Sequence, residues 1–297
     1  MSAPLLMLLA TFLFASMGVC VKLASALYGA GEIVMYRGLV GAAMIATLAR
    51  VRGGSLATSV PGMHFWRSLT GVSALCLWFY AIGNLPLATA MTLNYMSSVW
   101  MALFLIGGAV MLGGSRVDAR LIGTVLVGFV GVALILRPTI ERDQLWHGLM
   151  GLLSGMLSAM AYLQITALGR VGEPEYRVVF YFSLGGVAAG ALVTLATGGL
   201  HAHSLYGVAL LLAVGVSATV AQLLMTRAYA IGKTLVNASM QYLGIAFSCL
   251  YGVLLFDDPL TWMALGGMVL VVAAGIGAAR LRLAVAPKDA PNSTLES

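Results

Sequence analysis

The residues that could do chemistry in this 297-residue sequence are few, and they stand in apolar surroundings. Lys22 and Arg37 are cations inside apolar segments, with Glu32 near the rim of the second; no other Asp or Glu lies deep in any such segment. Asn94, Gln164, Gln222 and Gln241 are amides inside apolar runs, and Trp78, Tyr95, Trp100 and Tyr242 form an aromatic set. Tyr80 suits an interfacial belt, whereas Trp78, Tyr95 and Trp100 lie deeper than a belt requires. An intramembrane charge points to a substrate contact, a gate or a structural ion pair; Glu32 is spaced to meet Lys22 across the first hairpin. The amides serve equally as solute ligands or as bonds between helices. Aromatic surfaces receive flat or apolar groups. These types describe binding rather than bond-making.

Catalysis would need a nucleophile beside a base, or clustered acids, His or Cys. None is visible, so an enzyme is not expected. Cys20, Cys76 and Cys249 lie in apolar segments without metal or pairing spacing and read as packing residues. His201 and His203 offer two ligands and no third, which leaves them as solvated loop histidines. No G-x-x-x-x-G-K-[ST] pattern is present, so nucleotide-driven pumping is not expected from this chain alone. No cofactor and no metal are expected.

The elements that must position these residues follow from composition. Hydrophobic residues make up 61% of the chain and charged ones 9%, and mean hydropathy is +0.98, beyond soluble domains. The net charge of +6 does not imply nucleic acid, because the basic residues lie singly between apolar runs. Ten segments are long enough to cross a bilayer: 4–25, 32–50, 67–83, 87–112, 119–137, 147–168, 176–197, 204–226, 234–256 and 260–280. No Lys or Arg precedes the first and its apolar run is long, so it reads as a span rather than a cleaved signal. Gly151-xxx-Gly155 and Gly186-xxx-Gly190 read as helix contacts.

One phrase occurs twice: Tyr80-Ala81-Ile82-Gly83 returns as Tyr229-Ala230-Ile231-Gly232, and Asn94-Tyr95 falls where Gln241-Tyr242 falls once two loop residues are dropped. The chain thus reads as two five-span copies, 1–138 and 146–282, with a polar tail at 283–297. An odd number of spans per copy makes the repeat inverted. With the N-terminus inside, the cytoplasmic side collects 12 cations, Arg67 among them, against Arg137 and Arg142 outside. Both termini are therefore expected in the cytoplasm. The fold class expected is an all-α integral membrane protein of ten helices in two inverted repeats, an arrangement that lets one central site face each side in turn.

Met35-Tyr36-Arg37-Gly38, Trp78-Phe79-Tyr80-Ala81 into Leu85-Pro86-Leu87-Ala88-Thr89-Ala90, and Gly123 through Gly131 to Leu136-Arg137-Pro138 resemble the drug/metabolite transporter superfamily, within it the EamA branch of ten-helix carriers. The resemblance covers about residues 4–282. It departs at Gly113-Gly114-Ser115, where many relatives carry an acid; Asp257-Asp258-Pro259 holds the matching place in the second half. The resemblance implies a central cavity lined by spans 1, 3, 4, 6, 8 and 9, with 5 and 10 peripheral. Helical spacing agrees, aligning Thr11, Ala15, Gly18 and Lys22 on span 1, Ala218, Gln222, Thr226 and Tyr229 on span 8, and Asn237, Gln241 and Gly244 on span 9.

The function expected is secondary transport of small organic metabolites across a bacterial inner membrane, by efflux or exchange of amino acids or related compounds. The alternative is uptake of a larger metabolite such as S-adenosylmethionine or riboflavin. Any proton coupling is expected to be weak or indirect, since a deep carboxylate is missing. The partners expected are a small-molecule substrate and the lipid bilayer; a homodimer is compatible with the pattern. A sensory module would need a soluble output domain, which this chain lacks.

Overall fold

The computed structural model describes residues 2–111, 119–136, 144–232, 237, 240–258 and 260–285. Regular structure among the described residues is entirely α-helical: α1 (Ala3–Ala24), α2 (Ala30–Val51), α3 (Pro61–Asn84), α4 (Leu87–Tyr95), α5 (Ser97–Met111), α6 (Ala119–Leu136), α7 (Gln144–Arg170), α8 (Glu175–Ala196), α9 (Leu205–Ile231), α10 (Leu243–Phe256) and α11 (Trp262–Val285). The acid-free stretch Gly113-Gly114-Ser115, the loop cations Arg116, Arg137, Arg142 and Lys233, and the tail from 286 lie outside the described residues. Helices α1, α2, α7, α8 and α9 are each long and apolar enough to cross a membrane.

Local chemistry sets the ends. Pro4 and Pro61 stand in the first turns of α1 and α3, where the missing N–H costs nothing. The Ser204 hydroxyl accepts from Gly207 N at 3.0 Å and caps α9. Helix α10 ends on Asp257 in the left-handed region, φ +49°. The next amide, Asp258 N, donates back to Gly252 O at 3.1 Å. This left-handed closure turns the Asp258 side chain back toward Lys22 of α1.

Two expectations about the spans need correction. The third begins at Pro61 and not at 67. The fourth and ninth are not continuous: α4 passes to α5 through Met96, and a turn at Gln241-Tyr242 precedes α10. At both places the bonds tighten from four residues to three, Val99 N to Met96 O at 2.9 Å and Gly244 N to Gln241 O at 2.9 Å. Hydropathy cannot report this, because the residues on each side of the turn remain apolar. Tightened turns inside helices are common at working parts of a fold.

Helices pair across the halves. α1 packs chiefly on α9, α3 on α7, α2 on α8 and α6 on α11, and α4 meets α10. If α1, α2, α3, α4–α5 and α6 are matched in order with α7, α8, α9, α10 and α11, exchanging the matched helices leaves this set of pairs unchanged. Small residues allow the contacts, as expected where packing rather than hydrophobic exclusion joins helices. A methyl group on Gly38 would lie 2.6 Å from Ser183 O, one on Gly190 2.5 Å from Met35 N, and one on Gly131 2.7 Å from Gly267 O. Gly155 sits equally close, 2.5 Å, to Leu93 O beside the first tightened turn. Large apolar side chains such as Phe12, Trp66, Leu69, Leu192 and Val269 are exposed and suit contact with lipid.

Candidate binding cavity

The two tightened turns meet at the centre of the bundle. A methyl group on Gly244, just past the second turn, would lie 2.5 Å from the Tyr95 hydroxyl of the first. Beside this contact is a small cavity of about 50 Å³. Helix α3 gives it Arg67, Gly71 and Trp78, α2 gives Arg37, α7 gives Ser158 and Tyr162, α8 gives Phe182, and α9 gives Gln222, while Asn94, Tyr95 and Gln241 come from the turns. Spans 2 and 7 therefore join the expected set, and α6 and α11 contribute nothing to it.

Both arginines are buried, Arg37 at 4% and Arg67 at 3% exposure. Their guanidinium carbons lie over the ring of Phe182, at 5.1 Å for Arg37 and 4.2 Å for Arg67. Gly71 leaves room for this placement, because a methyl group there would lie close upon Arg67 Nη1 and push that guanidinium aside. Among the described residues, neither arginine has a carboxylate within ion-pair range. Arg37 Nε, Arg67 Nε and Nη1, Trp78 Nε1, Tyr95 OH, Gln222 Nε2 and Gln241 Oε1 are buried without a partner. Buried polar groups are normally satisfied, so this concentration marks a place prepared for something polar.

Six of the ten expected site residues line the cavity: Arg37, Trp78, Asn94, Tyr95, Gln222 and Gln241. Asn94 is also a helix tie, donating to Ser154 Oγ at 3.0 Å and Ser158 Oγ at 3.1 Å. The other four lie elsewhere. Gln164 accepts from the Thr70 hydroxyl at 2.9 Å. Trp100 packs on Phe104 and Phe129, with centroids 6.4 and 5.2 Å away. Tyr242 borders an apolar groove between α10 and α11. Lys22 lies at one end of the bundle. The polar stripe of span 1 also turns away from the cavity, with Gly18 against Leu87 and Met91; Phe14 and Met17 face the cavity instead.

Arg67 is the residue that the sequence reading misplaced, as a cytoplasmic loop cation. The available signal was Pro61, which as a helix-start residue puts Arg67 nearly two turns inside α3. Phe182, Ser158 and Tyr162 carried no signal, since such residues are ordinary in apolar helices.

Charged contacts close each end. At the α1–α2 end, Lys22 Nζ binds both carboxylate oxygens of Asp258, at 2.9 and 3.0 Å, and Asp258 Oδ2 accepts from Leu87 N at 2.8 Å. One carboxylate thus ties α1, the start of α4 and the α10–α11 turn. Lys22 does not meet Glu32 as expected, because the αL turn at Asp257 delivers a nearer acid. Glu32, 1% exposed, instead meets His201 Nδ1 at 2.8 Å. His203 contacts Tyr36 OH at 2.7 Å, so neither loop histidine is simply solvated. A recess of about 800 Å³ opens here beside Glu32, Cys76, Tyr80, Trp146 and His201.

At the α2–α3 end, His64 Nε2 meets Glu173 Oε1 at 3.0 Å, Arg177 lies 3.6 Å from the same carboxylate, and Arg227 pairs with Glu175. Burial pushes the Glu173 carboxyl up, but hydrogen bonds from His64 and Thr58 and the charge of Arg177 outweigh it and hold the group below the usual carboxylate range.

No protein-family model matches the chain. It is 31% identical over 284 residues to the pseudopaline exporter CntI of Pseudomonas aeruginosa, covering 95% of this chain and 97% of that protein. The chain belongs to the same family of membrane transporters. More distant relatives are an S-adenosylmethionine uptake transporter of Rickettsia bellii, 23% identical over 74% of this chain and 73% of that one, and a riboflavin transporter of Rhizobium johnstonii, 26% identical over 76% and 73%. A solved crystal structure superposes with a TM-score of 0.68 at 18% identity, over 94% of this chain and 98% of that one, a likeness of fold alone. The protein is a multi-pass membrane transporter of small metabolites and not an enzyme.

Proposed function

We propose that this transporter is a secondary carrier of the drug/metabolite transporter superfamily, in its EamA branch, that exports or exchanges amino acids or related metabolites across the inner membrane by alternating access. Its working parts are two inverted repeats, 1–138 and 146–282, followed by a cytoplasmic tail at 283–297. The observation that carries this reading is the small cavity set where two matching helices tighten, between two ends each closed by ion pairs. At about 50 Å³ it is far below the several hundred Å³ of a metabolite site, as a contracted site would be. Opening either closure would widen the site toward one side only.

Several features support the details. Export agrees with the exporter relative. Neighbour pairs that survive exchange of the halves suit a repeat whose halves swap conformations. Both termini lie in the cytoplasm on this reading; removing Arg67 from the loop count leaves 11 cations against 2. Arg37, Trp78, Asn94, Tyr95, Gln222 and Gln241 contact substrate, and Lys22 serves as a gate. Purified protein in liposomes, loaded with an unlabelled amino acid or analogue, should accumulate the labelled solute by counterflow. Absence of counterflow across a broad amino-acid and metabolite panel, with folded protein present, would refute the carrier reading.

A further inference from the structure

We propose that Arg37 and Arg67, gathered over Phe182, form an oxyanion subsite, and that the substrates of this transporter are carboxylate-bearing organic acids with an apolar body. The inference rests on the carrier reading for its consequence in transport, but the subsite stands on its own geometry.

Two guanidinium groups in a closed interior carry full positive charge whether or not a ligand is present. Each costs several kcal/mol to desolvate, and they repel one another. Structural arginines at such depth are paired with acids. These two have no described carboxylate in range, and three of their nitrogens, Arg37 Nε and Arg67 Nε and Nη1, have no acceptor. Phe182 offsets part of the cost through its ring face, yet an aromatic face accepts no hydrogen bond from Nε. What the pair lacks is a planar acceptor with negative charge, which a carboxylate supplies in bidentate form.

The remaining wall defines the rest of the molecule. Phe14, Met17, Leu75, Trp78 and Met225 are apolar neighbours in the same cavity, and the orphaned amides of Gln222 and Gln241 offer neutral partners to an amine or carbonyl. The cavity has room for one small group, so the charged end stays at the arginines while the body occupies space created when the bundle opens. A cationic solute would meet two like charges with no acid to shield it. This disfavours solutes that carry positive charge and no carboxylate, such as simple amines.

The test uses the full-length protein in nanodiscs and matched probes that differ only at one end: phenylacetate, indole-3-acetate and N-acetylglutamate, each against its amide, with phenethylamine and phenyl phosphate added. The acids should raise the melting temperature and the amides and the amine should not. Arg37→Gln and Arg67→Gln should each weaken acid binding about tenfold or more. Gly71→Ala serves where an arginine variant folds poorly. It keeps both charges but pushes the flexible Arg67 guanidinium aside, and it should weaken the acids while leaving the fold intact. The proposal is overturned if no acid binds, if amides bind as well as acids, if phenyl phosphate matches phenylacetate, or if both arginine variants bind acids normally. Flux of the labelled acids in liposomes separates the two readings. Acid binding without flux of any solute would sink the carrier reading and leave the subsite; unchanged flux in both arginine variants would sink the subsite and leave the carrier.

Discussion

Replacing Asp258 by Asn should release the α1–α2 end of the bundle. The carboxylate joins three elements: Lys22 of α1 through both oxygens, the Leu87 amide at the start of α4, and its own turn after α10. Lys22 and Asp258 keep 18% and 10% of their side-chain exposure, so the pair lies between an exposed bridge, worth under about 1 kcal/mol, and a buried one, whose breaking costs about 3–5 kcal/mol. A value near 2 kcal/mol is reasonable, to which the charge at the start of α4 adds about 0.5 kcal/mol. Lys22 keeps a long contact to Leu85 O, 3.4 Å, and its place over the Phe256 ring, 4.7 Å, and Asn cannot replace the charge. If the pair exists only when this end is closed, about 2.5 kcal/mol shifts the opening equilibrium about sixtyfold. Hydrogen exchange of a peptide spanning residues 85–93 reads the change directly, because the Leu87 amide exchanges a charged acceptor for a neutral one and α4 loses its tie to Lys22. Protection there should fall by tens of fold while peptides near Glu173 are unaffected. The exchanged pair Lys22→Asp with Asp258→Lys should recover part of the loss, with a coupling energy visible in the double-mutant cycle. Unchanged exchange at 85–93, or a uniform loss across the whole chain, would refute the closure argument.

Other outcomes follow from named contacts. Asn94→Ala should lower the melting temperature, since it removes two bonds to α7, worth about 1–2 kcal/mol together. Gln241→Ala, which gives up a weak contact to the Met225 sulfur at 3.8 Å and an interaction with the Tyr162 hydroxyl, should cost less stability than Asn94→Ala and lower counterflow. Gly155→Ala should destabilise by about 1–3 kcal/mol, because its methyl meets the fixed Leu93 carbonyl, while Gly186→Ala, with no atom nearer than 3.8 Å, should be tolerated; thermal melts compare them. The contribution of ionised Glu173, whose carboxyl is held below its ordinary value, is complete above that value and lost as pH falls through the lowered one. The loss of melting temperature in Glu173→Gln should therefore be smaller at pH about 3 than at pH about 6. Cysteines placed at Ser55 and Leu200 should label from the cytoplasmic and outer sides respectively; the reverse would overturn the proposed topology.

What the sequence could reveal was set by which interactions leave a periodic trace. Helix positions emerged because a span needs about twenty apolar residues; the repeated Tyr-Ala-Ile-Gly marks the ends of α3 and α9, and the matched Asn94-Tyr95 and Gln241-Tyr242 fall beside the places where the fourth and ninth spans tighten. The tightening itself was invisible, since it concerns which carbonyl an amide chooses and not which residue bears it. The cation pairing was misjudged for a related reason. Lys22 and Glu32 are near in sequence and of opposite sign, so the hairpin offered a plausible pair; the true partner, Asp258, is 236 residues away and reaches Lys22 through one αL residue.

Arg67 shows where loop-charge counting fails as a physical argument. The rule assigns cations outside the apolar core to the cytoplasm because moving them across a membrane is costly. It does not ask whether a helix starts earlier than its apolar run. Residues Pro61 to Arg67 hold a His, a Trp and a Phe but few strong apolar residues, so hydropathy begins the span at 67 while backbone geometry begins it at Pro61. Those six residues advance a helix about 9 Å, enough to carry the guanidinium from a loop to the ring of Phe182. The cation that seemed to report topology is thereby placed beside Arg37 as the second half of the proposed subsite. A boundary error of under two turns was enough to change the inferred substrate charge.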